Sequence, residues 1–271
     1  MANNPEQITA PPQETTVELS KTTPAAPKGA ADLLTPQNSV LLMIDYQPQM
    51  AFGVQSHDRG LMLSNVVALA KAARAFDVPT ILTTVASQTF SGPLWPDVQA
   101  VFPDQKPFDR TSMNAWDDQR VRDAVQRTGR SKLLIGGLWT EVCVLMPALD
   151  ALKAGFEVYA VTDAAGGTSV EAHEMAVQRM IQAGVMPVTW QQVMLEWQRD
   201  WAREETYQAV VDVVRQHSGA YGMGVAYAKS MFGSTGESAV KADGAERSGT
   251  AFGQTVTVTS TQPGSTRAQK Q

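Results

Sequence analysis

Short unbroken runs of Val, Ile and Leu alternate along the chain with longer segments whose apolar residues recur at helical spacing. The runs Ser39–Ile44, 79–85, Lys132–Gly137, 157–162 and 186–190 have strand length, while 63–76, 121–127, 141–154, 171–183 and 190–201 have helical period. Apolar runs without polar alternation predict strands buried on both faces, hence a parallel sheet covered by helices on each side. Right-handed crossovers then give an α/β fold, a three-layer αβα sandwich around a mostly parallel, doubly wound sheet. Gly155 and Gly184 each follow a helical segment and precede a strand, as helix-terminating glycines do. In such sheets ligands sit beyond the carboxyl ends of the strands, where helix N-termini converge. That rule selects Asp45, at the exit of the first strand, and the segment 138–143, at the exit of the strand Lys132–Gly137.

Outside 35–232 the pattern fades. Residues 1–34 are rich in Pro, Thr, Ala, Glu and Gln, and 233–271 in Gly, Ser, Thr and Gln, with too few periodic apolar residues to offset the entropy of ordering. These segments are expected to be a disordered arm and a disordered low-complexity tail, with at most a stray strand near 255–259, flanking one domain. The formal net charge is −5, and acidic and basic residues are interspersed, which argues against a nucleic-acid or anionic-membrane partner and for a small molecule. No apolar run reaches the roughly 18–20 residues of a membrane span. The first thirty residues lack the apolar core of a secretory signal, so the cytoplasm is the expected compartment.

The chain has one cysteine, Cys143, in Leu134-Ile-Gly-Gly-Leu-Trp-Thr-Glu-Val-Cys-Val-Leu-Met146. In the first turn of a helix, amide N–H groups and the macrodipole would favour a thiolate and a nucleophile. The same position equally suits a buried thiol acting as a small hydrophobe. A nucleophile needs a proton acceptor and a polarising cation, usually brought from separate strands. Val40-Leu-Leu-Met-Ile-Asp45 drives a carboxylate to a strand end, where desolvation would raise its pKa toward that of a base; alternatively Asp45 caps the turn Asp45-Tyr-Gln-Pro48. Pro107-Phe-Asp-Arg-Thr-Ser-Met-Asn-Ala-Trp-Asp117 supplies Arg110 as the cation, although an arginine in a loop is commonly a solvated charge.

Taken together, the Asp45 strand, Arg110-Thr-Ser-Met-Asn-Ala-Trp-Asp117, Gly137-Leu-Trp-Thr-Glu-Val-Cys-Val144 and Val161-Thr-Asp-Ala-Ala-Gly-Gly167 resemble, in order and spacing, the isochorismatase-like cysteine hydrolases. The resemblance is closest to the YcaC-like branch and covers about 34–203. It implies a triad of Asp45, Arg110 and Cys143, with a thioester formed on Cys143 and protons shuttled by Asp45. It also implies a cis peptide between Leu138 and Trp139, an oxyanion hole from the N–H groups of Trp139 and Cys143, and a homo-oligomer. Gln47, Phe52, Asn114 and Trp116 lie beside these motifs and are candidate pocket residues, each with an alternative role in packing or loop support.

Two departures narrow the reading. Many relatives carry Lys where this chain has Arg110, and an arginine can only anchor, so proton transfer falls on Asp45. True isochorismatases lack the nucleophilic cysteine, which points here to amide, imide or ester substrates. The metal-binding Asp-x-His arrangement of nicotinamidases is missing, and His57, His173 and His217 are far apart in sequence, so no metal and no cofactor is expected. The rival readings are a thiol-based redox protein, which would have no resolving cysteine in its own chain, and a non-catalytic oligomeric scaffold of the same fold.

Overall fold

The computed structural model describes residues 31–232, 249–251 and 254–256. Their order is β1 (Ser39–Ile44), α1 (Pro48–Phe52), α2 (Arg59–Ala75), β2 (Thr80–Val85), α3 (Pro96–Val101), β3 (Phe108–Arg110), α4 (Gln119–Arg127), β4 (Lys132–Gly137), α5 (Leu145–Lys153), β5 (Glu157–Val161), α6 (Val170–Ala183), β6 (Met186–Val188), α7 (Trp190–Gln198), α8 (Glu204–His217), α9 (Gly219–Phe232), β7 (Gly249–Ala251) and β8 (Gln254–Val256). The first six strands form one sheet in the order β3-β2-β1-β4-β5-β6, every pair parallel. Helices α2, α3, α7 and α8 pack together, as do α5 and α6, giving the three layers expected from the apolar pattern.

The centre of the sheet explains why β1 and β4 are unbroken apolar runs: all six residues of each are buried. Chain direction through the sheet reverses between these two strands, which makes their carboxyl ends the crevice where this architecture binds ligands. They also lie unusually close there. A Cβ on Gly137 would sit 2.7 Å from both Cβ and O of Ile44, so glycine alone fits the register that pairs them.

Helix ends follow local chemistry. Asp58 caps α2 by accepting from the Leu61 amide, which starts that helix one turn before the position read from periodicity. Gly184 ends α6 at φ 104°, and Gly155 follows α5 at φ 93°, as their places before strands predicted. Helix α7 stops at Gln198 because Arg199 turns to φ 61°, short of the expected end at 201. The apolar pattern does not predict the short α1 and α3, the three-residue β3, or α8 and α9. Val210, Val213 and Val214 bury one face of α8, which packs on α2.

The reading of 1–34 and 233–271 as disordered falls almost wholly outside the described residues. Of the described residues within it, Leu34 is buried with its N–H donating to Glu196 Oε2 at 2.7 Å, and β7 pairs antiparallel with β8, which overlaps the stretch where a stray strand was allowed. Among the described residues no helix is long and apolar enough to cross a membrane.

Gly137→Ala should cost about 1–3 kcal/mol through overpacking at the β1–β4 contact. Denaturant unfolding would measure it, and an unchanged midpoint would mean that the two strands can separate at no cost.

Candidate active site

Three strands deliver one side chain each to the carboxyl edge of the sheet. Asp45 follows β1 with φ 56°, a left-handed conformation costly for a non-glycine residue, and is fully buried. Arg110 is the last residue of β3, on the far side of β2, and is 7% exposed. Their side chains meet fork to fork: Nη1 donates to Oδ1 at 2.7 Å and Nη2 to Oδ2 at 2.8 Å. Thr83 of β2 lies between them, its hydroxyl donating to Asp45 Oδ1 at 3.0 Å, and Arg110 also donates to the carbonyls of Thr84 (3.0 Å) and Met113 (3.2 Å). Arg110 is therefore a buried anchor on a strand and not a solvated loop charge.

Cys143 comes from the other side of the switch point. After β4 the Leu138–Trp139 peptide is cis, and Thr140–Val144 forms a π-helical turn before α5 begins at Leu145. The thiol is 2% exposed and lies within reach of the Asp45 carboxylate and of the backbone N–H of Trp139. The three residues expected to act together are thus in one cluster.

Of the two readings of Cys143, the surroundings favour the buried thiol over the thiolate. Burial pushes the Cys143 thiol up to about 12, with the negative charge of Asp45 adding to the rise; Arg110 and the Trp139 amide pull the other way and lose. The main cause of the difference is burial. Cys143 precedes α5 instead of occupying its first turn, and a single amide reaches the sulfur while a carboxylate faces it.

The isochorismatase domain model matches residues 39–192. The chain belongs to the isochorismatase family. It is similar to the probable hydrolase YcaC of Escherichia coli (strain K12), 38% identical over 172 residues that span 63% of this chain and 83% of the relative. Among solved structures, YcaC from Pseudomonas aeruginosa, described with hexane-2,5-diol and covalent acrylamide, matches at a TM-score of 0.70 and 34% identity, covering 73% of this chain and 97% of that one. The Escherichia coli YcaC crystal structure, described as an octameric hydrolase of unknown specificity, matches at 0.71 and 35% identity, covering 74% and 98%. These likenesses make this a YcaC-like isochorismatase-family hydrolase.

Other candidate residues of this family member have different surroundings. Gln47 is fully buried and bridges two loops: its amide donates to the carbonyls of Val85 (3.0 Å) and Gly92 (2.5 Å) and accepts from Val85 N. Its hydrogen-bonding capacity serves backbone, not an incoming molecule. Asn114 accepts from Trp116 N and donates to Asp117 and Asp150, while the Trp116 ring packs edge-on against Phe156 at 5.6 Å. These contacts hold Asn114 against Asp150 of α5 and Trp116 against Phe156, just before β5. Phe52 is 66% exposed. Trp139 holds its place by donating Nε1–H to Met50 O at 2.8 Å, its ring filling the space left by Gly53. Asp163 accepts from Trp190 N at 2.8 Å, at the start of α7.

Two features were missed. Thr83 interrupts an apolar strand with a hydroxyl, a visible signal for a polar contact at that edge. His57 and His173, distant in sequence, stand edge to face with ring centroids 4.6 Å apart, and His173 Nδ1 pairs with Thr140 Oγ1 at 2.8 Å. Burial first, then the neighbouring His57, lowers His173 to about 4, while Glu141 opposes the shift. Among the described residues no group of His, Cys, Asp or Glu is disposed to hold a metal ion.

Arg110→Leu should cost about 3–5 kcal/mol in denaturant unfolding, because it strands a buried carboxylate, and replacing Asp45 by Leu as well should recover most of that loss. A single-variant loss below about 1 kcal/mol would mean that the pair behaves as a surface ion pair. A second expectation concerns acid. His173 binds its proton at about 4 when folded and near 6.5, the ordinary value of a free histidine, when unfolded, so the unfolded state takes up the proton first. Its contribution is fully present above about 6.5 and is lost as pH falls toward about 4. His173→Asn should flatten that part of the stability–pH profile; an unchanged slope would mean that His173 does not stay neutral.

Proposed function

We propose that this isochorismatase-family hydrolase is a metal-independent cysteine hydrolase, acting in the cytoplasm as a homo-oligomer on a small amide, imide or ester. The observation that carries the reading is the contact between the Cys143 thiol and a carboxylate that is itself clamped by Arg110. The octameric assembly described for the Escherichia coli relative supports the oligomer, and the covalent acrylamide described for the Pseudomonas aeruginosa relative supports a reactive group that accepts a small carboxamide.

In this mechanism the thiol waits protonated. As Sγ bonds to the substrate carbonyl carbon, its proton passes to Asp45, and the carbonyl π electrons move to oxygen. The N–H groups of Trp139 and Cys143 receive that oxyanion, the Trp139 amide turning from the sulfur to the oxygen. Collapse expels the amine or alkoxide, which takes the proton from Asp45 and leaves a thioester. Asp45 then deprotonates a water that adds to the thioester. The second collapse releases the acid and returns the proton to sulfur. Arg110 donates no proton; its fork fixes the carboxylate in place throughout.

The redox reading needs a standing thiolate, which burial and Asp45 disfavour at Cys143. The scaffold reading leaves unexplained a buried thiol, carboxylate and guanidinium in mutual contact.

Incubation with a panel of small amides, imides and activated esters, followed by acid quench and intact mass measurement, should reveal an acyl adduct on Cys143. The adduct and turnover should vanish in Cys143→Ala, and turnover should drop by about 10²–10⁴-fold in Asp45→Asn while remaining insensitive to chelators. Turnover that survives Cys143→Ala would overturn the proposal.

A further inference from the structure

Thr140 sits between the two amides assigned to the oxyanion, those of Trp139 and Cys143, and it is fully buried. Its amide donates to Gly166 O at 2.9 Å, and its hydroxyl pairs with His173 Nδ1 in the first part of α6. The neighbouring Glu141 is gripped from the same side, accepting the amide (3.0 Å) and hydroxyl (2.6 Å) of Thr168. Residues 166–168 are in turn sewn to the loop before α2: Gly167 N donates to Ser56 Oγ at 2.9 Å, Gln55 N donates to Gly167 O at 3.0 Å, and Ser56 Oγ pairs with His57 Nδ1 at 2.7 Å. The edge of His57 closes the circle against the His173 ring. There is no slack in this packing, since a Cβ on Gly167 would lie 2.9 Å from both Glu141 Oε2 and His173 Cβ.

We infer that His173 is a positioning residue for acyl transfer: through Thr140 it fixes the turn that aims the Trp139 and Cys143 amides at the developing oxyanion. The inference rests on the hydrolase reading above. His173 itself has no hydrogen bond to Cys143 or Asp45; its polar contact is with Thr140. Being neutral at ordinary pH, it makes that contact without carrying a charge into the site. A residue acting in this way should affect reactions that build an oxyanion and spare those that need only the sulfur.

That distinction can be measured with two reagents on the full chain. Acylation by p-nitrophenyl acetate passes through a tetrahedral oxyanion, whereas alkylation by iodoacetamide is a direct displacement. His173→Phe keeps the ring and its packing on His57 but leaves the Thr140 hydroxyl without its partner. Acylation should fall about 10- to 100-fold in this variant, with alkylation within about twofold of wild type. His173→Asn retains a polar atom near the place of Nδ1 and should restore acylation. Thr140→Val, which removes the hydroxyl from the other end at nearly constant volume, should reproduce the loss and serves if His173→Phe does not fold. Equal loss of both reactions, or no change in acylation, or failure of His173→Asn to restore it, would overturn the assignment. If wild-type Cys143 is not acylated at all, the hydrolase reading itself falls, and the positioning role with it.

Discussion

The structure depends on one carboxylate and one guanidinium being buried together. Asp45 and Arg110 belong to strands that are not neighbours, so their contact spans β2, and the Thr83 hydroxyl fills the gap between them. Taking each ion out of water costs several kcal/mol, and only a geometry that satisfies both groups offsets it. The parallel fork bonds, with the Thr83 hydroxyl and the Thr84 and Met113 carbonyls, provide that geometry. They also hold Asp45 at its positive φ, which places the carboxylate at the switch point and against the turn after β4.

The same pair determines the state of the cysteine. Because Arg110 is committed to Asp45, its charge does not outweigh burial and the carboxylate at the sulfur, and the thiol stays protonated. In the proposed reaction, a protonated thiol beside an anchored base becomes a nucleophile only as it attacks. It is also poorly exposed to adventitious oxidation, which proceeds through thiolate. A lysine in place of Arg110 would be a point charge on a flexible stem, without the two-pronged grip that fixes the carboxylate plane.

The architecture was legible because β1 and β4 bury every residue, which removes polar alternation from the sequence, and because Gly155 and Gly184 mark helix ends. Asp45 and Cys143 were legible for a related reason: both follow strand exits. Arg110 was harder, since three residues of edge strand leave little pattern, and it needed the company of the other motifs. The thiol state was only half legible, since the sequence suited a helix-end thiolate and a buried hydrophobe equally. A turn of π geometry looks like a helix start in sequence, so the favourable helix end assumed for Cys143 does not exist. For Asn114 and Trp116 the sequence left a pocket role and a packing or loop-support role open, and their contacts with Asp150 and Phe156 are of the second kind. The His57–His173 contact joins residues whose separation erases any local signal.

The central claim is that Cys143 rests as a neutral thiol held by burial and by Asp45. The chain has a single cysteine, so carbon-labelled cysteine gives one Cβ resonance whose NMR shift reports protonation directly. The account predicts no titration through the neutral and mildly alkaline range in the wild type, with ionisation near about 12, and an earlier onset in Asp45→Asn, where the repelling charge is gone. A wild-type thiol that titrates at or below about 8.5, the value of a free cysteine, would contradict it.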